Sequence, residues 1–178
     1  MQRRTTPARQ RGVNLIETLM ATAVLVVSTG AALPGFSNMA QRHRLEGATA
    51  LLESELQYAR SLAVAERRAL RFTFGTSPAG SCYVVHTGGP GDCRCDGEAP
   101  ICTAEAVPLR TVGMRASDGL RVSSNSASFA FDPVKGTVTP TATIELGNAR
   151  GDALRLVVSI LGRVRSCSPT GMTGHKAC

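Results

Sequence analysis

Residues 12–35 read GVNLIETLMATAVLVVSTGAALPG, and this stretch decides what kind of chain it belongs to. From Val13 to Leu33 the run is 21 residues long with a single ionisable group, Glu17. At about 1.5 Å of rise per residue, a helix of that length reaches roughly 31 Å, enough for a bilayer core. Residues 1–12 before it hold Arg3, Arg4, Arg9 and Arg11 and no acid. Positive charge beside an apolar span stays cytoplasmic, which places the C-terminal bulk on the far side of the membrane. A carboxylate inside such a span costs roughly 2.5–3.5 kcal/mol on insertion scales, so Glu17 is a functional candidate by default. Pro34-Gly35 removes a helical hydrogen bond and crowds the preceding turn, so a helix break is expected at Pro34.

A secretory signal peptide cut near Thr29-Gly30-Ala31 competes with this reading and would leave a disulfide-rich secreted binding module starting near Ala31 or Ala32. Such a peptide has no use for Glu17. The order Gly12, then Val13-Asn14-Leu15-Ile16-Glu17, then an apolar helix, resembles the class III leader of type IV pilins and type II secretion pseudopilins. The resemblance implies that a prepilin peptidase cuts between Gly12 and Val13 and methylates the new N-terminus. It leaves Glu17 as fifth mature residue, where its carboxylate neutralises a neighbouring subunit's N-terminal amine during assembly. The family's usual first mature residue is Phe, from which Val13 departs.

Composition fits one ordinary domain behind this stem. The chain has 178 residues, 43% apolar and 19% charged, which excludes a disordered chain. Aromatics are 4% with no Trp, which argues against stacking of bases or sugars. The 20 Lys+Arg against 13 Asp+Glu give +7, and 18 of the 20 are Arg. Loss of residues 1–12 would remove four Arg, leaving 16 basic against 13 acidic side chains, or +3. The remaining excess is local: residues 147–178 hold Arg150, Arg155, Arg163, Arg165 and Lys176 against Asp152 alone.

Gln41–Arg67 reads as a second helical stretch, with Leu45, Ala48, Leu52, Leu56, Ala59 and Ala63 on one apolar stripe. Arg42, Glu46, Glu53, Arg60 and Arg67 fall largely off it, and Glu53 and Glu55 face different directions. Beyond residue 68 the pattern turns to strands at Ala69–Phe74, Ser81–Thr87, Leu120–Ser124, Ser126–Phe131, Thr141–Leu146 and Ala153–Leu161, parted by Gly, Pro, Asn and Asp. One helix followed by short strands predicts an α+β domain, two small antiparallel sheets against the helix. The division expected is residues 1–12 leader, 13–35 transmembrane or filament-core helix, 36–68 amphipathic helix and 69–178 disulfide-bonded β domain.

Leu56-Gln57-Tyr58-Ala59-Arg60-Ser61-Leu62-Ala63 resembles the helix end of the GspH/FimT branch of minor pilins and pseudopilins. Phe131-Asp132-Pro133 with Gly136-Thr137 resembles a strand–turn–strand of the same group. The resemblance implies a pilin-like fold, assembly with other pilins or pseudopilins through the N-terminal helix, and a single-pass protein of the bacterial inner membrane that enters a pilus or pseudopilus after cleavage. Gly162-Arg163-Val164-Arg165 is similar to a GRxR motif of FimT-type minor pilins, a subgroup implicated in binding DNA during natural transformation. Carried over, Arg163 and Arg165 contact phosphates of double-stranded DNA, with Lys176 as a third candidate. A charged strand edge guarding against aggregation accounts for the same arginines, and a GspH-like pseudopilin of a type II secretion system accounts for the same chain.

The six cysteines are Cys82, Cys93, Cys95, Cys102, Cys167 and Cys178. The first four are separated by ten, one and six residues, unlike the paired spacing of zinc knuckles, so no metal is expected. Outside the cytoplasm they are expected as disulfides. Cys93 and Cys95 sit too close to pair with each other, so each reaches Cys82 or Cys102, while Cys167 and Cys178 close the C-terminal loop. No nucleophile, phosphate-loop or dinucleotide motif occurs, and His43, His86 and His175 are scattered. Neither a catalytic site nor a cofactor is expected.

Overall fold

A computed structural model describes residues 14–97, 99–103 and 105–178, of which residues 29–37 are described for their backbone only. Gly12 and Val13, with the leader expected over 1–12, lie outside the described residues. The elements are helix α1 (Leu15–Ala65), then β1 (Leu70–Ser77), β2 (Gly80–His86), β3 (Cys93–Asp96), β4 (Ala99–Cys102), β5 (Pro108–Arg115), β6 (Leu120–Ser124), β7 (Ser128–Phe131), β8 (Val138–Thr139), β9 (Ala142–Asn148), β10 (Ala153–Val158) and β11 (Val164–Cys167). The chain divides into two units, residues 1–39 and 40–178.

In the first unit the described helix exposes Leu15, Ile16, Leu19 and Met20, all at least 60% accessible. Among the described residues no helix is long and apolar enough to cross a membrane. Helical backbone runs through positions 34 and 35 without interruption, a correction to the break expected at Pro34. Proline forfeits one N–H, and the bonds of the flanking turns suffice to carry a helix past it.

In the second unit the helix buries Leu45, Leu52, Leu56, Ala59 and Ala63, the stripe that the three- and four-residue spacing marks, with Ala48 half-buried beside it. Two sheets close on this stripe. One has five strands in the order β5-β2-β1-β7-β8, the other four in the order β11-β10-β9-β6, and every pairing is antiparallel. Their inner faces meet the helix in one core, with Phe72 stacked on Phe129 at 5.3 Å and Phe131 set edge-on to both. Glu55 fastens helix to sheet: Tyr83 Oη donates to it at 2.7 Å and Arg110 Nε at 2.7 Å. Burial and the adjoining carboxylate push the Tyr83 hydroxyl far above its ordinary range, so it remains a donor.

Strand β2 is buried on both faces, and the reason lies behind it. The hairpin β3–β4 covers the back of the five-stranded sheet, where Cys82, Val84, Cys93, Cys95 and Ala106 form a second small core. Cys82–Cys95 pins the hairpin to β2, and Cys93–Cys102 joins two residues directly opposite in the hairpin register. A Cβ at Gly75 would lie 2.7 Å from the Cys95 carbonyl oxygen, so glycine lets the hairpin approach. Neither this hairpin nor β5 follows from the alternation of side chains. Strand β5 is an edge strand opening on Pro108; its first three residues are exposed, only Met114 is buried, and it carries Arg110, Gly113 and Arg115, a pattern without periodicity.

His86 lies in the same region, fully buried on β2. Its Nδ1 accepts the Gly88 N–H at 3.1 Å, so the proton sits on Nε2, which faces Thr73 Oγ1 at 2.9 Å. Burial above all, and then the Arg71 guanidinium, lower its pKa, while Asp92 opposes them. The fold therefore favours neutral imidazole, whereas the unfolded chain titrates near the ordinary value of about 6.5. The stability from this site is complete above that value and falls as the medium is acidified toward the depressed folded pKa. One proton limits the slope to at most about 1.4 kcal/mol per pH unit. Chemical denaturation between pH 8 and 5 should show this fall, and His86→Gln should flatten it.

Candidate functional site

The basic C-terminal edge is built from β10, β11 and the loop after them. In the β10–β11 register Val157 faces Arg165 and Val158 faces Val164. Ser159 N–H donates to the Arg163 carbonyl at 3.0 Å, which extends the ladder one step further. Side chains alternate across a strand, so Arg163 and Arg165 share the outer face with the half-exposed Val157. Buried Val158 and half-buried Val164 take the inner face. Arg163, Arg165 and Lys176 are exposed, and among the described residues none of them is paired with a carboxylate. Arg155, two positions before Val157, is different: Glu145 accepts from its Nε at 3.2 Å and Nη2 at 2.7 Å, which neutralises it locally.

The loop after β11 is closed by Cys167–Cys178, eleven residues apart in sequence. By a chain-entropy estimate such a closure stabilises by about 3 kcal/mol. Ser168 organises the loop, donating to the Ala153 carbonyl at 3.1 Å and accepting the Met172 N–H at 2.9 Å. Arg42 of α1 donates to the Thr173 carbonyl, and Glu46 stands 3.5 Å from His175 Nε2, so the loop is strapped to the helix. Arg42, with lesser help from His175 and His43, holds the Glu46 carboxyl below the usual carboxylate range. Between β11, this loop and the helix lies an open groove of about 830 Å³, lined among others by Arg165 and Lys176 on one side and Glu53 on the other. Arg163 does not line it. The edge thus brings Arg165 and Lys176 to one groove and Arg165 and Arg163 to one sheet face. Glu53, in sequence only one of two helix acids, faces the same groove from α1.

Position along this edge is set at a junction that no single motif reveals. Arg60 Nε donates to the Gly136 carbonyl at 3.0 Å, and Val138 N–H donates to the Ile160 carbonyl at 2.8 Å. Asp132 caps the turn that presents Gly136, accepting the Val134 and Lys135 N–H groups at 2.9 and 2.7 Å. Those two bonds hold its carboxyl below the ordinary value. Gly162 wedges in beside them at φ +72°, where a Cβ would lie 2.5 Å from the Gly136 oxygen and 2.7 Å from Arg60 Nε. Helix end, strand turn and GRxR turn therefore meet at one point, and Arg163 leaves from it. Arg60, read from periodicity as a solvent-side residue, is half-buried here as the helix's contribution. The sequence signal for the junction is two turn glycines, Gly136 and Gly162, both with positive φ.

Gly12 and Val13 lie outside the described residues, Glu17 is exposed on α1, and Pro34 is described for backbone alone. All six cysteines are paired, and among the described residues no cluster of His, Cys, Asp and Glu could hold a metal.

A search of the curated proteins finds no match for this chain. Among solved structures it is similar to the type IV minor pilin FimU of Pseudomonas aeruginosa strain PAO1, at 23% identity and a TM-score of 0.54, over 73% of this chain and 96% of that one. That likeness supports the α+β pilin-like fold, a long N-terminal helix with antiparallel sheets. The family model for GspH, described as type II transport protein GspH, matches residues 48–162. The match takes in Arg60, Asp132, Gly136 and Gly162 and stops immediately before Arg163. It covers more than half of the chain, which therefore belongs to the GspH family.

Proposed function

We propose that this minor pilin or pseudopilin serves a type IV pilus and that its C-terminal edge holds duplex DNA for uptake. The observation that carries the reading is the pair Arg163 and Arg165 on one sheet face, exposed and without carboxylate partners among the described residues, with Lys176 on the adjoining groove. Family membership makes the chain a structural, non-enzymatic protein that assembles with other pilins. Its stem is read as an inner-membrane anchor that a prepilin peptidase trims between Gly12 and Val13, methylating Val13. Glu17 then neutralises a neighbour's terminal amine in the filament. The exposed Leu15, Ile16, Leu19 and Met20 support helix-to-helix packing of such stems.

The physical limits on DNA binding follow from counting charges. Two phosphate contacts give a salt slope of about −1.8 and three about −2.7, so one subunit binds weakly and useful retention needs several along a filament. Few aromatics predict little base stacking, hence sequence-tolerant binding of duplex backbone. A gel shift of the full chain in detergent micelles tests this. Wild type should retard a duplex oligonucleotide at low salt, and Arg163→Gln with Arg165→Gln should abolish the shift. Equal retardation by the double variant removes the edge from the reading. A wild type that retards nothing favours a second reading, a pseudopilin of a type II secretion system, which the description of the matched family model supports.

A further inference from the structure

Strand β11 ends the four-stranded sheet, and among the described residues no strand pairs with its outer edge. The bond from Ser159 N–H to the Arg163 carbonyl makes residues 159 and 163 a hydrogen-bonded pair. Alternation then makes 157 with 165 and 155 with 167 hydrogen-bonded pairs too. Val164 and Ser166 consequently turn their N–H and C=O groups away from β10, and among the described residues no backbone group meets them. Two residues further on, the same edge is already paired. Ser168 N–H donates to the Lys176 carbonyl at 2.7 Å and Cys178 N–H donates to the Ser168 carbonyl at 3.2 Å, a parallel bridge between Ser168 and Ala177. The chain's own tail thus adds to this edge and then leaves Val164 and Ser166 bare along the groove.

We propose that the free edge of β11 takes up an extended acidic segment of another protein as an added strand. An edge strand with unpaired main-chain groups is a template for such addition. The sequence Val164-Arg165-Ser166-Cys167 has neither the proline nor the bulge that commonly closes an edge. The opposite edge of this sheet is served differently, since Val122 N–H of β6 donates to Ser81 Oγ. Charge selects the occupant. Every second residue of an added strand would fall on the outer face with Arg165 and Arg163, and Lys176 stands at the groove's rim. Glutamate or aspartate at alternate positions meets that charge. Glu53, on the helix wall, opposes it and sets how acidic a segment the groove tolerates. Main-chain pairing is distinct from phosphate contact by the arginine side chains, so this inference stands apart from the DNA reading.

The probe is a fluorescein-labelled hexapeptide alternating Val and Glu, titrated into the full chain in detergent micelles and followed by anisotropy. N-methylation of alternate peptide nitrogens should weaken binding at least tenfold, and replacing Glu by Lys should remove it. Ser166→Pro, which deletes an outward N–H without touching the β10 ladder, should also weaken it about tenfold while leaving duplex retardation unchanged. Glu53→Gln should tighten it two- to threefold. Where Ser166→Pro lowers the melting point, the N-methylated peptide on the native chain decides alone. Equal binding of the N-methylated and parent peptides overturns strand addition, as does no binding of the parent peptide at millimolar concentration.

Discussion

Gly162→Ala is expected to destabilise the chain by about 3 kcal/mol, from roughly 1–2 kcal/mol of left-handed backbone strain and a similar cost of overpacking. For a chain of this size, that lowers the melting temperature by roughly 6–12 °C. The overpacking arises because the new methyl group would stand 2.5 Å from the Gly136 carbonyl oxygen and 2.7 Å from Arg60 Nε. The Gly136 oxygen belongs to a backbone held by Asp132 and cannot retreat without undoing that turn. Gly171→Ala supplies the control, since its φ is +71° and nothing lies within 4 Å of its Cβ position. Thermal unfolding of both variants separates the two costs. Equal losses would mean that the junction yields freely and does not fix where Arg163 projects.

Removing the Cys82–Cys95 bridge as a pair, with Cys82→Ala and Cys95→Ala, is expected to cost about 3 kcal/mol from loop closure alone. The consequence reaches beyond the loop because this bridge fastens the β3–β4 hairpin to β2. Once unfastened, the hairpin uncovers Val84 and opens residues 88–106 to proteolysis. Removing Cys93–Cys102 instead should cost a similar amount yet leave the hairpin docked, because those residues are already opposite each other in the ladder. Limited proteolysis of the two variants makes the comparison. Equal nicking of both would show that Cys82–Cys95 does not dock the hairpin.

The apolar stripe from Leu45 to Ala63 was legible because a helix repeats its faces every three to four residues, and those faces are the ones buried. Strand β6 appears over Leu120–Ser124 as alternation places it, whereas β10 stops at Val158, short of the expected Leu161, because residues 159–162 turn. Strand β5 and the hairpin were illegible because one is an edge strand with a single buried residue and the other is held by sulfur bridges more than by buried side chains. Cysteine spacing narrowed the bridges but left Cys93 and Cys95 interchangeable. Only the fold decides, since Cys93 stands opposite Cys102 and Cys95 reaches β2.

By itself the sequence determined the chain's plan: an apolar stem with one carboxylate, an amphipathic helix, a disulfide-bonded β domain and a local excess of cations in residues 147–178. Each is a matter of composition or of period along the chain, which local chemistry dictates. Tertiary structure alone decided that Arg60, Gly136 and Gly162 meet, that Arg155 is neutralised while Arg165 is not, and that Glu53 faces Arg165 and Lys176 across one groove. The Arg155 pair is set by the β9–β10 register, in which Arg155 faces Glu145. The other two relations join residues tens of positions apart, and only the packing of α1 against two sheets brings them within reach.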